Sequence, residues 1–152
     1  MPANLQLPTE RLVQLRTIAQ AFGGKNLAET FGQMIRELAH AGVIDSPSIP
    51  NIDIKAAPDG LAIRFDEGSY VAFTPPAAKC LIARLREYVS SKEKLPLMID
   101  STSNFMIARK VRSVKVTIPA LSNDSITKVL SPDLASDLAD LIEAALENVT
   151  TD

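Results

Sequence analysis

The stretch "NLQLPTERLVQLRTIAQAFGG", residues 4–24, decides how the chain is read, because its period changes at Pro8. Before the proline, Leu5 and Leu7 alternate with Asn4 and Gln6, the repeat of a strand. After it, Leu12, Leu15, Ile18, Ala19 and Phe22 recur at the spacing of a helix face. Thr9 or Pro8 stands at the helix start, and Glu10 suits the positive end of the helix dipole. Gly23 and Gly24 then stop the helix. A second helical pattern runs through Leu27, Phe31, Met34, Ile35 and Leu38, and Gly42 closes it. Asn26 followed by Glu29 resembles a capping box with Asn in the cap position.

A strand and two short helices cannot bury much apolar surface alone. Taken singly they would be a helical hairpin with a frayed leader. A second copy solves the difficulty: the strand pairs antiparallel with its twin, Leu5 and Leu7 face the shared helices, and Asn4 and Gln6 face outward. Over residues 3–42 the sequence resembles the ribbon-helix-helix repressors of the Arc and methionine-repressor type. The resemblance rests on the alternating strand ending in Leu7-Pro8, the Leu12/Leu15/Ile18-Ala19 face, the Gly24-Lys25-Asn26 turn and Glu29 after it. It implies a dimeric β-ribbon lying in the DNA major groove. Asn4 and Gln6 then read bases, since amides can pair with adenine in a bidentate way. Lys25, Asn26, Leu27 and Ala28, at the start of the second helix, then hold a phosphate. The sequence departs from the family in two respects: no basic residue stands among the strand readers, and no arm precedes the strand. Up to residue 46, Arg11, Arg16, Lys25 and Arg36 are balanced by Glu10, Glu29, Glu37 and Asp45. Phosphate attraction by this unit is therefore weak: either affinity is modest, or a dimer, higher oligomer or second domain helps.

"DSPSIPN", residues 45–51, is rich in proline and serine and reads as a short, stiff linker between a domain of residues 1–44 and one of residues 52–152. Beyond it, Ile52-Asp53-Ile54-Lys55 alternates, "APDG" (57–60) makes a turn, and Leu61, Ile63 and Phe65 alternate again. "DEGS" is a second turn before Val71 and Phe73. Thr74-Pro75 then starts a helix whose buried face is Ala78, Leu81, Ile82, Leu85 and Tyr88. The order returns: strands at 106–109, at Val114, Val116 and Ile118, and at 126–130. Ser131-Pro132 then caps a helix with the face Ala135, Leu138, Ile142 and Ala145. "VAFTPPAAKCLIARLREYV" laid over "KVLSPDLASDLADLIEAAL" aligns cap, proline and apolar positions. One reading is a duplicated β-β-β-α unit forming one antiparallel sheet with both helices on one face; the other is a pair of unrelated junctions that share capping chemistry. The fold class expected is therefore α+β.

Charge segregates in this second half. Arg109, Lys110, Arg112 and Lys115 lie together with no acid between them, whereas the last helix carries Asp133, Asp137, Asp140, Glu143 and Glu147. The cations form a candidate secondary basic patch for a phosphate backbone; as a plain surface they would be a solvated strand pair partly balanced by the acidic helix. No catalytic constellation is visible and no cofactor is expected. His40 is the only histidine, so the chain cannot build a multi-histidine metal site, and Cys80 reads as a buried thiol. One cysteine permits no intrachain disulfide, the N-terminus lacks the pattern of a signal peptide, and no apolar run is long enough to span a membrane. The chain thus reads as soluble, cytoplasmic and not an enzyme. The function expected is a sequence-specific, double-stranded-DNA-binding repressor of the kind common in plasmids and phages, acting as a homodimer or higher oligomer. The alternative is a protein-interaction module, antitoxin-like or an assembly adaptor. There the N-terminal unit only dimerises and residues 52–152 bind another protein.

Overall fold

In the computed structural model the chain divides into two compact units, Met1–Pro47 and Ser48–Asp152. The structure describes residues 6–24, 26–44, 49–91, 93 and 95–150, with side chains to residue 148. It is a mixed α and β protein with four helices and two antiparallel sheets. Among the described residues, no helix is long and apolar enough to cross a membrane.

The first unit contains α1 (Thr9–Ala21) and α2 (Leu27–His40). Pro8 occupies the cap position of α1 without a side-chain cap bond. The helix ends where Gly23 and Gly24 take φ of 94° and 80°, a left-handed conformation that suits glycine. There the Gly24 N–H donates to the Ala19 carbonyl (2.9 Å) and the Gly23 N–H to that of Gln20 (3.1 Å). Residues 6–8 are exposed and carry no regular element. Asn4 and Leu5, the rest of the expected strand, lie outside the described residues.

The second unit runs β1 (Ile52–Ala57), β2 (Gly60–Phe65), β3 (Val71–Phe73), α3 (Pro75–Ser90), β4 (Met98–Ile99), β5 (Met106–Lys110), β6 (Ser113–Ile118), β7 (Ile126–Leu130) and α4 (Pro132–Thr150). Both helices start as their sequences dictate. The Thr74 hydroxyl accepts from the Ala77 N–H (3.3 Å), and the Ser131 hydroxyl accepts from the Leu134 N–H (3.2 Å). The alternating strands turn Ile63, Phe65, Phe73, Ile107, Val114 and Val116 inward, and these meet Leu81 and Leu85 of α3 and Leu138 and Ile142 of α4 in one core. The rings of Phe73 and Phe105 lie 6.4 Å apart within it. Arg86 of α3 ties the two helices together at the surface through Asp140 (3.1 Å) and Glu143 (2.7 Å) of α4.

The structure differs from the sequence reading in three places. The strands form a sheet of order β1-β2-β3 and a separate one of order β4-β5-β6-β7, where one sheet was expected. At the end of the first sheet, the Ala72 carbonyl of β3 accepts from the Asn104 side chain. Ile49, placed in the linker, is buried in the core of the second unit, and the Ile52 N–H donates to its carbonyl (3.2 Å). Cys80 is half-buried against the core rather than enclosed by it.

Candidate nucleic-acid interface

The interface the sequence predicts is built around the start of α2. Asn26 caps the helix: its side-chain oxygen accepts from the Glu29 N–H (2.8 Å), and its side-chain amide donates to the Glu29 carboxylate (3.3 Å). Thr30, fully buried, donates its hydroxyl to the Asn26 carbonyl (2.7 Å) and locks the turn from below. The backbone N–H groups of Leu27 and Ala28, in the first turn, have no partner within the helix and stand at the positive end of its dipole. Such a turn suits an anionic oxygen. Lys25, the expected charge beside it, lies outside the described residues, as does Asn4; Gln6 is exposed.

The helices behind this turn are not closed into a core. Among the described residues of the first unit only Ala19, Thr30 and Gly32 are buried. The face expected for α1 is half-buried at Leu12, Leu15, Ile18 and Phe22. On α2, Phe31, Ile35 and Leu38 remain 37%, 44% and 42% exposed. Their spacing makes a continuous apolar stripe on one helix face.

Of the four cations of the basic cluster in the second unit, Arg109 turns away from the other three. The strand parity that turns Ile107 inward does the same for Arg109. Its guanidinium donates to the carbonyls of Tyr88 and Ser91 at the end of α3 and lies 5.8 Å from the centre of the Tyr88 ring. A cation satisfying the last carbonyls of a helix has a structural job there. Lys110 and Arg112 are exposed at the tip of the β5–β6 hairpin, and Lys115 lies partly exposed on β6, opposite Ala108. On α4, Asp140 and Glu143 pair with Arg86.

Val111, not among the residues expected in the basic patch, sits between Lys110 and Arg112 and is 88% exposed with a φ of 57°. The pairing of Lys110 with Ser113 leaves Val111 and Arg112 as a two-residue turn. That turn was legible in principle, because alternation on both sides of "KVRS" leaves only two residues to reverse the chain. Among the described residues, no group of three or more His, Cys, Asp or Glu is placed to hold a metal ion. No family model, curated protein or solved structure matches the chain.

Proposed function

We propose that this protein is a sequence-specific DNA-binding repressor whose first unit is a ribbon-helix-helix module. It dimerises through the strand at residues 4–8 and reads the major groove with Asn4 and Gln6. The observation that carries the reading is the open apolar stripe of α2, Phe31, Ile35 and Leu38, in a unit that buries only Ala19, Thr30 and Gly32 among its described residues. A unit so poor in core needs a second copy to fold stably. The capped start of α2, with Asn26 held by Glu29 and the Leu27 and Ala28 N–H groups free for an oxyanion, supports a phosphate anchor beside the ribbon. The second unit is read as a duplicated strand–helix unit, with β1-β2-β3-α3 echoed by β5-β6-β7-α4, that sets higher oligomerisation or holds a partner. Matching helix caps at Thr74 and Ser131 support that reading.

A mobility-shift assay on DNA selected from a random pool tests the proposal. Replacing Asn4 and Gln6 by Ala should abolish preference for the selected sequence while leaving the dimer intact. Equal binding by those variants would remove the ribbon from the account.

The charge balance of the first unit favours a second reading, in which that unit only dimerises and the second binds another protein. It predicts a stable complex with a protein partner and no salt-dependent binding to DNA.

A further inference from the structure

We infer that the tip of the β5–β6 hairpin, Lys110-Val111-Arg112 with Lys115 behind it, is a sequence-independent contact to duplex DNA. The inference rests on the DNA-binding reading above and adds where the phosphate attraction comes from.

Charge is the main argument. Elsewhere in the second unit Arg64 pairs with Asp53, Arg84 with Glu87, Arg86 with Asp140 and Glu143, and Lys128 with Asp66. Arg109 is committed to carbonyls of the α3 end, and Lys55 lies against the Tyr70 ring. Lys79 apart, the described cations of this unit that keep no such partner are Lys110, Arg112 and Lys115, all on one hairpin. The segment 105–118 that forms it contains no Asp or Glu. By register, Lys110 and Lys115 share the face that β5 and β6 turn away from the core, so their fields add rather than cancel. The first unit, with its cations and acids balanced, supplies only weak attraction of this kind.

Shape is the second argument. Val111 is a β-branched residue with a φ of 57°, a conformation such side chains avoid, and it is the most exposed large apolar residue of the described chain at 88%. Strain kept at an exposed position points to a use for that position. Set between two cations, the valine can rest against the sugars of a groove wall while Lys110 and Arg112 take phosphates on either side. A lipid surface fits less well, because a lone apolar side chain beside a few cations falls short of the two strong anchors that stable membrane attachment requires.

The test is fluorescence anisotropy of the full chain with a fluorescein-labelled, random-sequence DNA duplex over a range of NaCl concentrations. The combined variant Lys110→Gln, Arg112→Gln, Lys115→Gln should lose at least about tenfold in affinity at low salt. Its slope of log affinity against log salt should fall by about 3 per bound protomer, since each phosphate contact contributes about 0.9. Val111→Asn, which the turn tolerates, should weaken binding several-fold with the slope unchanged. Lys79→Gln, removing a lone cation elsewhere, should change neither quantity. Should the combined variant melt early, the single variants decide, each lowering the slope by about 1.

Wild-type affinity and slope in the combined variant would overturn the inference. So would tighter attachment of the wild type to phosphatidylserine vesicles than to the duplex. If that variant keeps its slope while the Asn4 and Gln6 variants lose sequence selection, the hairpin contact falls and the DNA-binding reading stands. If the wild-type chain binds no duplex, both fall.

Discussion

Val111 is held where its own side chain disfavours the backbone, so the strain can be separated from any use of the residue. A left-handed conformation costs a side chain with a Cβ about 1–2 kcal/mol, and glycine costs about 0.5–1 kcal/mol in conformational entropy. Val111→Gly is therefore expected to raise stability by up to about 1 kcal/mol, seen as a higher Tm, even where it weakens DNA binding. Asn26 is the opposite case, a residue whose local bonds support its helix. Asn26→Ala removes the cap of α2 and should cost about 1 kcal/mol, read from a thermal melt of the full chain. Tyr88 adds a pH dependence. Burial holds its phenol above the ordinary range and the Glu87 carboxylate adds to that, against opposing pulls from Arg109 and Arg84. The folded chain keeps this proton to higher pH than the unfolded one does. The contribution is thus complete below the ordinary phenol pKa of about 10 and is lost as pH rises through the raised folded value. Tyr88→Phe loses the hydrogen bond to the Pro96 carbonyl, which should cost about 1 kcal/mol at neutral pH. It should also flatten the alkaline fall in stability measured by urea unfolding.

At the scale of elements, what was legible in the sequence is what local chemistry dictates. Thr74-Pro75 and Ser131-Pro132 announced α3 and α4, and the alternation of Val114, Val116 and Ile118 announced β6 with its buried face. The Asn26–Glu29 pair announced the start of α2. What escaped was decided by neighbours distant in sequence. Met98–Ile99 is too short to show a period, and it is a strand only because β5 pairs with it. The strands split into two sheets, and the β3 edge takes the Asn104 side chain at the Ala72 carbonyl rather than another strand, an outcome no hydrophobic pattern encodes. Arg109 shows the reverse: its parity with Ile107 was legible, but grouping residues by charge alone hid that it faces the end of α3. Gly60 gives this scale a test. A Cβ there would run into the Phe73 carbonyl of β3, so Gly60→Ala should destabilise the second unit by more than about 1 kcal/mol, measured by denaturant unfolding. The α2 stripe gives another. If the proposed dimer forms, Ile35→Glu with Leu38→Glu should turn it to monomer in sedimentation while the melt of the second unit stays where it was.

For the whole molecule, the proposed function divides the work between the two units. In the proposed function the first unit, poor in core and balanced in charge, would gain stability from a second copy, and Asn4 and Gln6 would read bases. The second, with one well-buried core, carries the unpaired cations of the hairpin. Sequence preference and salt dependence should then map to different residues of the same chain. Selection of DNA from a random pool by the full-length protein, carried out for the wild type and for the Asn4→Ala, Gln6→Ala variant, tests this most directly. The wild type is expected to enrich a repeated or palindromic site, and the variant, still dimeric, none. Enrichment of the same site by both proteins, or of no site by the wild type, would contradict it.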